Sequence, residues 1–271
     1  MIGVFDSGVG GLTVLKALLA ELPGESFVYL GDTARLPYGT KSPETVVRYA
    51  LQAAQALAGL DLDCLVIACN TAPAVALPAV RERIRELPVI GVVEPGAEAA
   101  CRGSRSGHIA VIATEGTVRG GAYQEAIRAR RADARVSAVS SQLLVALAEE
   151  GLCEGPIAEA VARHYLAPLF GAASADDPPD TLVLGCTHFP MLARAIAAAV
   201  GPEVRVVDSA ATTARHVRRV LEASSPRAGV AGRRGGVLKL LATDAPERFA
   251  RVGARFLERR IEPHEVELVD L

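Results

Sequence analysis

Short apolar runs alternate along the chain with longer stretches in which apolar residues recur at the spacing of a helix. The runs are rich in Val, Ile and Leu, which is typical of strands buried on both faces. They predict strands at 2–5, 26–31, 65–68, 89–93, 136–140, 181–185, 204–207, 237–242 and 266–269. The other stretches predict helices at 12–18, 43–60, 73–87, 97–102, 117–130, 142–150, 156–170, 189–200, 210–223 and 246–258. This alternation predicts parallel sheets covered by helices.

The pattern begins a second time near the middle of the chain. HIAVIATEGTV at 108–118 repeats the form of IGVFDSGVGG at 2–11, and the run that ends at Cys186 repeats the run that ends at Cys69. We therefore predict an α/β protein of two similar domains, each a mostly parallel sheet flanked by helices. A pseudo-twofold axis would relate them, with the active site in the cleft between. The first domain would be 1–95 and 208–271, and the second 96–207.

Polar and reactive side chains follow several predicted strands at the point where each strand ends. Residues 69–71 (Cys-Asn-Thr) and 186–188 (Cys-Thr-His) each end an apolar run, and Asp6, Ser7 and Asp32 end two others. In open parallel sheets, ligands bind at the carboxyl ends of strands. A glycine-rich turn after Ser7 leads into a helix, whose first N–H groups can hold an anion. The dinucleotide fingerprint is incomplete there and no Walker lysine follows, which favours a carboxylate.

The two matched cysteines indicate proton transfer. Thiols at facing strand ends of two similar domains would lie on opposite sides of one ligand, as the inversion of a stereocentre requires. A thiol suits this work because neighbouring donors and helix N-termini can lower its pKa from about 8.5. Asp6 and Asp32 could attract an ammonium group or assist the proton transfer.

Other uses of the cysteines stay open. A zinc site and a redox pair are disfavoured, because paired ligand spacing and a C-x-x-C motif are absent. A cysteine hydrolase would need His188 to reach Cys186, which the spacing leaves undetermined. Two buried structural cysteines would leave the repeated pattern unexplained, while a purely structural role for His188 is an equal alternative.

Composition narrows the class of protein. Half of the 271 residues are hydrophobic, and the net charge is −2 with the basic residues scattered and Trp absent, so we expect no nucleic-acid partner. The start shows no signal-peptide pattern, no window reaches the ~18 apolar residues of a membrane span, and the cysteine count is odd. We therefore expect a cytoplasmic protein with reduced thiols and no membrane partner. None of Lys16, Lys41 and Lys239 stands where a Schiff-base lysine is expected, which indicates no cofactor.

The motifs around these residues resemble those of glutamate racemases, of the aspartate/glutamate racemase superfamily. The likeness covers essentially the whole chain and is carried by FDSGVGGLTVL at 5–15, YLGDTARLPYG at 29–39, ACNTA at 68–72, EPG at 94–96, TEGTV at 114–118 and GCTHFP at 185–190. It implies interconversion of L- and D-glutamate by two-base proton transfer at Cα, without cofactor or metal. It also implies a homodimer that supplies D-glutamate for peptidoglycan in the bacterial cytoplasm. A racemase of aspartate or a hydantoin, or a non-catalytic carboxylate-binding module, are the alternatives.

The resemblance also implies a role for each matching residue. Cys69 would act on the face of the D-enantiomer and Cys186 on that of the L-enantiomer, assisted by Asp6 and His188 respectively. The implied substrate contacts are Asp6, Ser7, Tyr38, Gly39, Asn70, Thr71, Thr187 and His188. The implied auxiliaries are Asp32, Glu149, Thr114 and Thr117. Ser141-Gln142 stands where the family often has Cys-Pro, which weakens the assignment of Glu149.

Overall fold

Two parallel sheets organise the chain, which we describe from a computed structural model at residues 1–171, 177–224 and 236–271. The strands are β1 (Ile2–Asp6), β2 (Phe27–Gly31), β3 (Cys64–Ile67), β4 (Val89–Gly91), β5 (His108–Ala113), β6 (Arg135–Ser140), β7 (Thr181–Gly185), β8 (Arg205–Asp208), β9 (Leu238–Ala242) and β10 (Val266–Leu268). The helices are α1 (Leu12–Glu21), α2 (Pro43–Ala58), α3 (Thr71–Arg83), α4 (Val93–Gly103), α5 (Glu115–Gly120), α6 (Ala122–Arg130), α7 (Leu143–Glu150), α8 (Pro156–Phe170), α9 (Ala193–Val200), α10 (Ser209–Ser224) and α11 (Pro246–Leu257).

The two sheets repeat one strand order. The first runs β10-β9-β2-β1-β3-β4 and the second β6-β5-β7-β8, with every adjacent pair parallel. The order β2-β1-β3-β4 therefore returns as β6-β5-β7-β8, and β3 and β7, which precede the two cysteines, hold equivalent places. In the first sheet β2 is added on one side of β1 and β3 on the other, and in the second sheet β6 and β7 flank β5 in the same way. Open α/β sheets bind ligands at such points, between β1 and β3 and between β5 and β7. The predicted α/β fold with two helix-flanked parallel sheets is confirmed.

The central strands are apolar because both of their faces are covered. Val4 and Val66 on one face of the first sheet belong to a core cluster that continues into the second sheet through Ile112. Phe5 and Ile67 on the other face belong to a separate cluster that includes residues of α2 and α3. One continuous core thus connects the two sheets and holds their strand ends in a fixed relation.

Several predicted boundaries shift. Residues 94–96, which lie between the predicted strand 89–93 and the predicted helix 97–102, are not a break: they form the first turn of α4, where a proline costs no intrahelical hydrogen bond. The predicted helix at 117–130 is two helices, separated at Gly121 with a φ of +70°. The helix predicted at 189–200 opens with a 3-10 turn. Of the stretches that the prediction leaves between helices and strands, 171–180 lies half outside the described residues and 224–236 almost entirely. In the described ranges, no helix is long and apolar enough to cross a bilayer.

Candidate functional site

Cys69 is buried at the carboxyl end of β3, directly before the first turn of α3. Burial and the charge of the adjacent Asp6 raise the pKa of the Cys69 thiol to about 12. The Ser7 hydroxyl and the N–H groups of Thr71 and Ala72 act in the opposite direction, but they do not offset the burial. The Cys69 thiol is therefore neutral, and the Ser7, Thr71 and Ala72 donors can stabilise its sulfur when that atom carries charge.

Asp6 ends the neighbouring strand β1 with one carboxylate oxygen satisfied. Its Oδ2 accepts hydrogen bonds from the Gly8 N–H at 2.9 Å and from the Tyr29 hydroxyl at 3.4 Å. Its Oδ1 is buried and has no partner among the described residues. Burial raises the pKa of Asp6. A buried oxygen without a partner is costly unless a ligand or a neighbouring proton uses it, which marks Asp6 as a functional position.

The site has two halves, one around Cys69 with Asp6 and one around Cys186 with His188 and Glu149, and the Cys186 half has different chemistry. Cys186 follows β7, and its Sγ lies 3.7 Å from Nδ1 of His188, whose Nε2 lies 3.2 Å from Oε1 of Glu149. Although burial lowers it, hydrogen bonds to Cys186 and Glu149 raise the pKa of His188 to about 10. The hydrogen bond from His188 in turn lowers the pKa of Glu149 to about 2. A histidinium held between a carboxylate and a sulfur can exchange a proton with that sulfur.

The two halves meet at the glycine turn after β1. The Thr13 hydroxyl donates to the Thr187 carbonyl oxygen at 2.9 Å, and a Cβ on Gly10 would overlap the His188 ring. The charge of His188 also acts on Asp6, where it lowers the pKa against the larger effect of burial. The neighbours of the two cysteines therefore lie close enough for their charges to interact.

Three threonine hydroxyls form a second bridge between the halves. Thr71, in the first turn of α3, lies 3.0 Å from the hydroxyl of Thr114 and 3.1 Å from that of Thr117. Thr114 and Thr117, which follow β5, are 3.0 Å apart. All three side chains are buried. Such a cluster beside a helix N-terminus supplies O–H and N–H donors for a carboxylate.

Asn70 is held by a residue that the sequence did not indicate. The hydroxyl of Tyr123, on α6, donates to Asn70 Oδ1 at 2.7 Å. Asn70 is only 3% exposed, and its Nδ2 has no partner among the described residues. Gly96 of the EPG segment packs on the Tyr123 ring, where a Cβ would come within 3.3 Å. Tyr123 therefore fixes which way the amide points and leaves its N–H groups available.

The turn that contains Tyr38 and Gly39 lies beside Asp32, and its polar side chains are paired. Asp32 accepts hydrogen bonds from Arg35 Nε at 2.6 Å, from the Thr243 hydroxyl at 3.0 Å and from the Tyr38 hydroxyl. The polar atoms of Asp32 and Tyr38 are thus already paired with one another and their neighbours. Gly39 packs against the threonine that follows β5, where a Cβ would come within 2.9 Å.

The structure thus gathers the predicted residues at adjoining strand ends and adds others. Glu149, a predicted auxiliary, contacts His188 directly. The residues that sequence reasoning missed are Thr13, Tyr29, Tyr123, Arg248 and Phe256. Thr13 and Tyr29 lie within the quoted motifs but were given no role there, and Tyr123, Arg248 and Phe256 lie outside every motif. Each of the five acts through a partner distant in the chain. Within the described ranges, no group of His, Cys, Asp or Glu side chains is arranged to hold a metal ion.

Comparison with known proteins identifies the family of this chain. A profile of Asp/Glu/hydantoin racemases matches residues 2–217. The chain belongs to this family. It is therefore a racemase and hence an isomerase, as predicted, and the resemblance to glutamate racemases is confirmed.

Relatives and solved structures agree with the family over nearly the whole chain. The glutamate racemase of Geobacter metallireducens is 48% identical over 256 residues, covering 94% of this chain and 92% of its own. That of Neisseria gonorrhoeae is 42% identical, covering 100% and 96%. The crystal structure of a Bacillus anthracis glutamate racemase isoform superposes with a TM-score of 0.90 at 34% identity, covering 100% and 97%. A Francisella tularensis glutamate racemase in complex with D-glutamate gives 0.88 at 33% identity, covering 99% and 97%.

Proposed function

We propose that this chain is a glutamate racemase that inverts Cα with two cysteines, Cys69 and Cys186. The observation that carries the proposal is the pair of buried thiols at equivalent strand ends of two sheets with the same strand order. The names of the full-length relatives support glutamate as the substrate. So do the solved racemases with D-glutamate and L-glutamate bound, from Francisella tularensis and Escherichia coli.

The chain offers complementary groups for each charged part of an amino acid. We assign the substrate carboxylates to the unpartnered Asn70 Nδ2 and to the Thr71 hydroxyl cluster at the start of α3. We assign the ammonium group to the unpartnered Oδ1 of Asp6. Donors on the carboxylates matter for the chemistry as well as for binding, because they stabilise the negative charge that develops when Cα loses its proton.

Proton transfer then needs one sulfur as base and the other as acid. For L-glutamate, the Cys186 thiolate removes the Cα proton, the electron pair of the C–H bond passes toward the carboxylate, and the Cys69 thiol returns a proton to the opposite face. The enzyme finishes with thiol and thiolate exchanged, and D-glutamate starts from that state. Burial, which raises the pKa of the Cys69 thiol to about 12, suits Cys69 to the role of acid toward L-glutamate, and the His188 ring lies 3.7 Å from the Cys186 sulfur, where the two can exchange a proton.

Turnover without added cofactor tests the proposal. We expect the purified protein to racemise L- and D-glutamate but not aspartate, and expect Cys69→Ala and Cys186→Ala each to abolish turnover while melting like the wild type. Cys153→Ala, at a partly buried free cysteine between α7 and α8, serves as the matched control and should retain activity. Preferential turnover of aspartate would identify a related racemase, and binding without turnover would identify a carboxylate-binding module.

The wider setting belongs to the same proposal. We propose that the enzyme acts in the cytoplasm, without cofactor, as a homodimer that supplies D-glutamate for peptidoglycan. We also propose that 1–95 with 208–271 and 96–207 form its two domains; the strands of the two sheets divide between these segments, apart from Asp208 at the end of β8. Sedimentation of the purified chain tests the dimer, and D-glutamate auxotrophy on deletion of its gene tests the cellular role.

A further inference from the structure

Helix α11 reaches from the first sheet to the Cys186 side of the site. It connects β9 to β10 and packs against α1 and β10, all elements on the Cys69 side. Three of its side chains nevertheless contact His188 and Glu149. Arg248 Nη2 donates to Glu149 Oε2 at 2.8 Å, Arg255 Nη1 donates to the Glu149 carbonyl oxygen at 2.9 Å, and the Phe256 ring meets the His188 ring edge-on at 5.2 Å between centroids.

We propose that Arg248 is a positioning residue for the Cys186 half: by binding one carboxylate oxygen of Glu149, it directs the other to His188 and so holds the imidazole against Cys186. The proposal rests on the racemase function proposed above. It adds a residue from α11, a helix that connects two strands of the first sheet, to the groups that surround Cys186.

The geometry explains why the carboxylate needs this partner. The two oxygens of Glu149 divide their contacts, with Oε1 on His188 at 3.2 Å and Oε2 on Arg248. The Glu149 side chain is 18% exposed, so without Arg248 its free oxygen would turn toward water and the contact with His188 would loosen. Arg248 is itself 42% exposed, which screens its charge. Its contribution is therefore mainly orientation, with the Arg255 bond to the Glu149 backbone fixing where that side chain starts.

Charged groups reach His188 from several elements. Cys186 lies beside it on its own segment, Asp6 approaches from the end of β1, Glu149 from α7, and Arg248 lies behind Glu149 on α11. Removing Arg248 has two opposite effects on the charged form of His188. The loss of a nearby cation favours the charged imidazole, whereas the freedom of Glu149 to turn away disfavours it. The loss of the direct hydrogen bond between His188 and Glu149 has the larger effect, because the charge of the half-exposed Arg248 is screened and acts from behind Glu149. The pKa of His188 should therefore fall.

Three variants test this on the full chain. Arg248→Gln removes the cation, Arg248→Lys keeps it without the planar fork, and Arg251→Gln is the matched control at an exposed arginine of α11. The titration of His188 is followed by NMR of the histidine ring, assigned by its loss in His188→Gln. We expect the wild type and the control to titrate near pH 10, Arg248→Gln at least about one pH unit lower, and Arg248→Lys in between.

Kinetics give an independent readout. We expect Arg248→Gln to lower kcat for glutamate roughly tenfold with KM within about twofold, to move the alkaline limb of the pH profile downward, and to be partly rescued in Arg248→Lys. Should Arg248→Gln fail to fold, Arg248→Met, which keeps the aliphatic part of the side chain, is measured in its place. A His188 titration and kcat like those of Arg251→Gln would overturn the proposal. If the wild type turned over no glutamate, the proposed function would fail, while the NMR titration would still decide the role of Arg248.

Discussion

Replacing Tyr123 with Phe removes a single oxygen from the interior of the site. The Tyr123 side chain is fully buried, and its hydroxyl is 2.7 Å from Asn70 Oδ1. The variant leaves that oxygen buried without its donor, which costs roughly 1–3 kcal/mol. Since a chain of this size loses about 2–4 °C in melting temperature per kcal/mol, we expect a decrease of about 2–12 °C.

The activity of this variant should fall because Asn70 loses its orientation. In the wild type, Tyr123 holds Oδ1 and leaves Nδ2 for the substrate carboxylate. Without that hydroxyl the amide can rotate, and the carboxylate can meet an oxygen instead of an N–H donor. The same roughly 1–3 kcal/mol corresponds to a loss of about 5- to 150-fold in kcat/KM. We expect KM to rise because the carboxylate is bound in the ground state, and kcat to fall because the same donor stabilises the charge that develops as Cα loses its proton.

Initial rates from each enantiomer, together with thermal melts, measure both effects. Enantiomers have equal free energy in solution, so the loss in kcat/KM must be the same in the two directions, which checks the data internally. Tyr165→Phe removes the same oxygen from a tyrosine on α8 and is the matched control. A Tyr123→Phe enzyme with wild-type KM and a lowered melting temperature would refute the role assigned to the Asn70 amide.

Three further outcomes follow from the same contacts. Gly10→Ala should lower kcat far more than Gly59→Ala, because the added methyl overlaps the His188 ring in the first case and makes ordinary contacts in the second. Since the pKa of His188 is raised from 6.5 to about 10, its stabilising contribution should be complete below pH 6.5 and disappear as the pH rises through 10. Since the pKa of Glu149 is lowered from 4.5 to about 2, its stabilising contribution should be present above pH 4.5 and disappear toward pH 2. Urea unfolding of the wild type and of His188→Gln across pH checks both contributions. Thr71→Val should raise KM for glutamate roughly tenfold at unchanged secondary structure, measured by steady-state kinetics and circular dichroism.

The sheets and the cysteine pair could be predicted because their signals are local. Strands β3 and β7 are short apolar runs covered on both faces, and each stops at a cysteine. The likeness of 2–11 to 108–118 predicted a second sheet, which the repeated strand order bears out. Helix starts were less predictable near prolines, since Pro95 fits inside the first turn of α4 as easily as it ends a helix.

The supporting contacts could not be predicted because they join residues that are distant in the chain. Tyr123 and Asn70 are 53 residues apart, and Arg248 and Glu149 are 99 apart. Apolar periodicity tells which face of a helix is buried but not which polar atom it will meet. The pairing of Cys186 with His188 was undetermined for a related reason, because the backbone between them decides whether their side chains converge.

Racemisation in deuterium oxide tests the two-cysteine mechanism most directly. If one sulfur removes the Cα proton and the other supplies a solvent-exchanged one, newly formed product carries deuterium at Cα while the remaining substrate stays protiated at early times. This pattern should hold from either enantiomer. Equal deuterium in the substrate and product pools at the earliest times would mean that a single base serves both faces, and would contradict the assignment of Cys69 and Cys186 to opposite sides of the substrate.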